Sequence, residues 1–270
     1  MSFLTGALAP PSGSPLLGSL VAGFILLVVG LAALTARRPH LGPLASPEGT
    51  RRAVLYALVF ALCSVAFWRV VSPALLGREQ SPWLLALGDV IFVTLGLFAW
   101  VMALAEGYEW RDYGIRAPQP SRFVLTLLLG VGAAALYSFR GYLAVATERV
   151  RVTPDSLVFA LVFAAIGSAL PEELLFRGYL QGSLEGRTRR WAQVVIPALA
   201  FTVFRSLRFL PGVEQTPSEW VLYILRVALP LGLWWGLMRD LAGGSLWPCL
   251  ISHFLLEFGT ALASVSPPAS

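Results

Sequence analysis

Residues 157–170 read LVFALVFAAIGSAL, and residues 171–181 continue as PEELLFRGYLQ. The first part is predominantly apolar. The second sets Glu172, Glu173 and Arg177 directly at its end. One charged side chain in the bilayer interior costs at least ~2.5–3.5 kcal/mol on insertion scales, so charges attached to such a segment mark a catalytic or transport site by default.

The rest of the chain supports a membrane setting. Of 270 residues, 57% are hydrophobic and 13% charged, with mean hydropathy +0.72. Soluble domains carry about 25% charged residues, so this composition indicates an integral membrane protein. The apolar runs are long and lack strand alternation, which points to an all-α polytopic helix bundle rather than a barrel. Eight spans of about 20 residues are expected, at 16–35, 53–75, 83–105, 123–143, 157–179, 191–210, 220–238 and 246–263. Pro171 is expected to kink the fifth or mark where it leaves the membrane.

All twenty basic residues other than histidine are arginines, giving a net charge of +5. They scatter through short loops, as the positive-inside rule predicts, and form no basic patch. The expected partner is therefore the lipid bilayer and not nucleic acid. Eleven arginines fall in one set of loops and six in the other, which places both termini outside the cytoplasm. The first 14 residues lack the basic n-region of a signal peptide, so span one is expected to stay as an anchor. Cys63 and Cys249 lie in apolar segments without metal-ligand spacing and are expected to be buried as small hydrophobes.

The stretch YEWRDYGIRAPQPSR (108–122) mixes charge, aromatics and prolines, as an interfacial loop with belt aromatics would. It divides the chain into about three N-terminal spans in 1–111 and a core at 112–262. A short tail follows at 263–270. No internal repeat is visible, unlike many transporters.

Three constellations could carry chemistry. Glu173 and Arg177 are four apart with the acid first, the favourable order for a helical ion pair. Glu172 points about 100° away on an ideal helix, so the two glutamates are not expected to face one spot. A desolvated Glu172 is suited to take a proton from water. His253 and Glu257 are also four apart and share one face of the last span. Arg205, after Phe201 in FTVFR, reads alone as a snorkelling residue at a span end.

Together these residues resemble the CPBP family, the CAAX proteases and bacteriocin-processing enzymes also called Abi proteins. PEELLFRGYLQ resembles the family's first motif, two glutamates followed after three residues by arginine, with Glu172, Glu173 and Arg177 in place. The loop DYGIRAP and the Gly-rich turn LAGGSLWP (241–248) also resemble family segments. The resemblance implies an intramembrane endopeptidase that cleaves membrane-anchored or lipidated protein tails by glutamate-activated water. Its implied catalytic residues are Glu172, Glu173 and His253, with Arg177, Arg205 and Glu257 supporting them. It further implies a multi-pass protein of the bacterial inner (cell) membrane.

The chain departs from the family twice. Arg205 stands where the second motif has histidine, and Glu257 where the third has asparagine. A guanidinium neither accepts a proton nor ligates a metal. Arg205 either supplies oxyanion electrostatics or locks Glu172 in a salt bridge. Family members are often labelled metalloproteases, and Glu172, His253 and Glu257 would be chemically acceptable to zinc. Arg205 beside them would repel the cation, so no metal cofactor is expected. Two other readings stay open: a catalytically inactive membrane scaffold or immunity protein, and a proton-coupled or anion transporter.

Overall fold

A computed structural model describes residues 44–66, 98, 106–118, 120–147, 152–208 and 216–265. These residues form helices without any strand, as expected for an all-α chain. The helices are α1 (Pro47–Ala66), α2 (Pro120–Ala146), α3 (154–184), α4 (Arg190–Arg208), α5 (Pro217–Leu241) and α6 (Trp247–Val265). They overlap expected segments two and four to eight, and the expected count of eight spans is not reached among the described residues. Span one, span three apart from residue 98, and the outer ends of spans two and six lie outside the described residues.

Three of the helices have stretches long and apolar enough to cross a membrane: Pro120–Phe139 in α2, Ser156–Leu184 in α3 and Pro217–Leu241 in α5. Leu128 and Leu136 of α2 are 67% and 76% exposed, which suits a lipid-facing side. Cys249 is buried and Cys63 is exposed, so the expectation of two buried cysteines holds only for Cys249. Cys63 lies on α1 beside exposed Leu62, on a face turned away from the bundle.

Local sequence explains where α3 and α5 begin. Thr153 and Ser156 bond reciprocally through side chain and backbone, with Pro154 in the first turn. Thr216 and Glu219 repeat the device, with Pro217 in the first turn. Both satisfy amide donors that a helix start leaves orphaned.

Pro171 does not end α3. The helix runs on to Leu184, with π-helical turns at Phe163–Ala169 and Glu173–Gln181 on either side of the proline. Wider turns accommodate the missing proline N–H, and such insertions concentrate at functional sites. The charged half of the segment therefore stays inside the bundle, where all residues from Glu173 to Gln181 are buried.

α6 packs along α2 and α3, and α5 along α4. Interhelical bonds use side chains on backbone carbonyls: Ser252 Oγ donates to Gly130 O at 2.8 Å, and Ser138 Oγ to Leu256 O at 2.6 Å. Gly232 of α5 brings the backbones close, since a Cβ there would lie 3.0 Å from Ala198 O of α4. Small residues serve this purpose in membrane helix interfaces.

The loop before α2 is not a belt of interfacial aromatics. Tyr108 and Tyr113 are buried against Tyr179 of α3, while Trp110 is exposed. Gly114 takes φ +85°, and its carbonyl accepts from Leu246 N at 2.8 Å, joining this loop to the turn before α6. Glu106 accepts from the Tyr56 hydroxyl and lies 3.2 Å from Arg52. Its burial pushes the carboxyl above the ordinary carboxylate value despite both partners.

Candidate active site

Three helices deliver the charged residues to one place. α3 supplies Ser168, Glu172, Glu173 and Arg177, α4 supplies Arg205, and α6 supplies His253 and Glu257. Ser168, Glu172, Glu173, Arg177 and His253 have no exposed surface; Arg205 and Glu257 retain 7% and 8%. Every residue singled out in the sequence as catalytic or supporting thus belongs to one buried cluster.

Arg205 lies at its centre and is not a snorkelling end residue. Its Nε donates to Glu172 Oε2 at 2.8 Å. Its Nη2 lies 2.8 Å from Glu257 Oε1, 2.8 Å from His253 Nε2 and 2.9 Å from Ser168 Oγ, three acceptors that share its two N–H donors. Of the two roles open to Arg205, the ion pair with Glu172 is present in the geometry. A guanidinium projects several donors in one plane, which allows a single side chain to gather four partners from two other helices.

The two glutamates do not point to unrelated places. They approach opposite nitrogens of the same imidazole. His253 Nδ1 is 2.8 Å from Glu173 Oε1, and Nε2 is 3.8 Å from Glu172 Oε2. Adjacent residues can do this because the ring presents its two nitrogens in different directions. Arg205 can only donate, so Nε2 is the acceptor and Nδ1 carries the proton toward Glu173. Glu173 also accepts from Arg177 Nη1 at 3.1 Å, the expected pair with its acid four residues earlier.

Further residues, invisible as a group in the sequence, hold this arrangement. Trp235 of α5 stacks on His253 with ring centroids 4.0 Å apart and planes at 18°. Its indole N–H donates to Ser252 Oγ, which binds α2 through Gly130 O. Arg177 sits over Phe201, 4.3 Å from the ring centroid, and its Nη2 donates to Gly232 O at 3.2 Å. One turn on, Gln181 donates to Gly236 O at 3.0 Å. Arg177 and Gln181 are four apart, as are Gly232 and Gly236, so two side chains of α3 dock in register on two carbonyls of α5. Small residues on α5 leave those carbonyls accessible.

Ser168 is the member that sequence reasoning missed. Its hydroxyl donates to Glu172 Oε1 at 3.1 Å and lies 3.4 Å from His253 Nε2. Its signal was its position, four residues before Glu172 within an apolar run.

The cluster does not fit a metal ion. Glu172 Oε2, Glu257 Oε1 and His253 Nε2 each face the Arg205 guanidinium at 2.8 Å, and a dication gathered by these three groups would meet a fixed positive charge. Among the described residues, no group of three His, Cys, Asp or Glu side chains is arranged to hold a metal. A cavity of about 690 Å³ opens elsewhere, beside Tyr108, Arg116, Gly182, Glu185 and Arg239, and no residue of the cluster lines it.

Such an arrangement can take a proton from water at a carboxylate, transfer it through an imidazole, and stabilise a developing oxyanion with a guanidinium. Residues 154–259 match a family model described as type II CAAX prenyl endopeptidase Rce1-like, in agreement with the CPBP resemblance. That segment contains every member of the cluster, and members of the matched family are integral membrane proteases. No curated protein and no solved structure matches the chain.

Proposed function

We propose that this chain is a CPBP-type intramembrane endopeptidase that hydrolyses peptide bonds in membrane-anchored or lipidated protein tails. The observation that carries the reading is the buried Glu172–Arg205–His253 constellation inside the segment matched by the protease family. A structural role alone gives little reason for it, because buried ion pairs often contribute no net stability relative to apolar packing.

In this reading Glu172 is the general base that takes a proton from the attacking water. Arg205 leaves its resting contacts to meet the oxyanion that forms on the scissile carbonyl. His253 is oriented by Glu173 and stacked on Trp235, and it returns a proton to the departing amine. Arg177 fixes Glu173, and Glu257 balances Arg205 while the site is empty. The enzyme would work as a multi-pass protein of the bacterial cell membrane, with the 112–262 region as its catalytic unit.

A second reading, a catalytically inactive scaffold or immunity protein, is favoured by one observation. Glu172, the base, is engaged by the guanidinium at 2.8 Å in the resting structure. The experiment that separates the two compares membrane-protein C-termini in cells carrying wild-type protein with those in cells carrying Glu172→Gln at equal level. A defined set of uncut C-termini in the variant supports the peptidase. Identical termini exclude it in favour of the scaffold.

A further inference from the structure

Peptide hydrolysis requires the proton taken from water to reach the nitrogen that leaves. Glu172 does not hydrogen-bond His253 directly, because Oε2 is 3.8 Å from Nε2, beyond hydrogen-bonding range. Ser168 Oγ stands between them, 3.1 Å from Glu172 Oε1 and 3.4 Å from His253 Nε2. A hydroxyl both donates and accepts, so it can pass on one proton while receiving another.

We propose that Ser168 is a catalytic proton relay between Glu172 and His253, an assignment that rests on the peptidase reading. Water loses a proton to Glu172 as its oxygen bonds to the carbonyl carbon, and the carbonyl π pair moves onto oxygen. The resulting oxyanion draws Arg205 Nη2 away from His253 Nε2, which frees that lone pair. Ser168 then gives its proton to Nε2 and takes the one held by Glu172, restoring both the hydroxyl and the carboxylate. The imidazolium protonates the nitrogen as the C–N bond breaks and the carbonyl re-forms. The products are a carboxylic acid and an amine, with no change in oxidation state. Throughout, Glu173 keeps the Nδ1 proton in place.

The relay is tested on full-length protein in lipid nanodiscs, with a peptide spanning a junction identified by the Glu172→Gln comparison. Ser168→Ala is expected to lower kcat by about 10²–10⁴-fold with little change in KM, the scale of a lost acid–base step. Ser168→Cys keeps a donor–acceptor atom of similar size and is expected to recover part of that loss. The wild-type rate in H2O–D2O mixtures should curve with deuterium fraction, as several protons move together, and should become linear in Ser168→Ala. A Ser168→Ala enzyme with wild-type kcat, or one that is slow but keeps the curved dependence, overturns the relay and leaves the peptidase reading intact. If wild-type and Glu172→Gln cells have identical C-termini, the peptidase reading fails and takes the relay with it.

Discussion

Arg205 Nε and Glu172 Oε2 lie 2.8 Å apart between α4 and α3, where Glu172 has no exposed surface and Arg205 is buried with only a small exposed edge. The pair places a cation against the residue proposed to act as base. It also carries Arg205 toward Ser168, His253 and Glu257. Resting charge balance and the proposed electrostatics of catalysis are therefore properties of the same guanidinium.

Removing that cation alone leaves buried carboxylates without compensation. Arg205→Met is expected to destabilise the protein by about 3–5 kcal/mol, the cost of breaking one partner from a buried pair. Adding Glu172→Gln should recover a substantial part of that loss, because the uncompensated charge goes too. Denaturation of the single and double variants in detergent measures the coupling; strictly additive effects would contradict the pairing.

His253→Phe keeps a ring for Trp235 to stack on and removes both nitrogens. Under the peptidase reading, processing should fall by about 10²–10⁴-fold, while the folded yield drops far less than for Arg205→Met. Quantifying uncut C-termini alongside protein level separates the two effects. Processing at the wild-type level would remove His253 from the chemistry.

Gly232→Ala tests the α4–α5 contact. The new Cβ would meet Ala198 O at 3.0 Å and Phe201 at 3.2 Å, so the backbones must separate by some tenths of an ångström. A loss of about 1–3 kcal/mol is expected, as for other overpacked sites. The shift also moves the carbonyl that accepts from Arg177, so under the peptidase reading processing should weaken along with stability. An unchanged melting temperature would show that the contact is slack.

Glu106 gives a pH dependence outside the spans. Burial raises its carboxyl above the ordinary 4.5, so the folded state holds the proton more tightly than the unfolded state does. Its contribution to stability is complete below the unfolded value and is lost as pH rises through the folded one. The melting temperature of wild type relative to Glu106→Gln should therefore fall as pH increases from about 4.5 upward. A difference that grows with pH would mean that Arg52 and the Tyr56 hydroxyl outweigh burial.

Composition and long apolar runs were enough to read an all-helical membrane protein, because hydrocarbon accepts only segments that satisfy their own backbone. PEELLFRGYLQ identified Glu172, Glu173 and Arg177, and four-residue spacing paired Glu173 with Arg177 and His253 with Glu257. These are short-range relations that a helix fixes on its own. Other features depended on which helix packed against which. Arg205 read as a span-end cation until α4 placed it against α3 and α6. Ser168 was one small residue in an apolar run until Glu172, Arg205 and His253 closed around it. Pro171 read as a kink or exit, but π-turns on both sides keep α3 continuous and its charges buried. The sequence by itself determined the membrane setting, the all-helical class and most of the charged side chains that cluster. Only the tertiary structure decided that a guanidinium joins them, because a side chain's partners across helices depend on packing and not on distance along the chain.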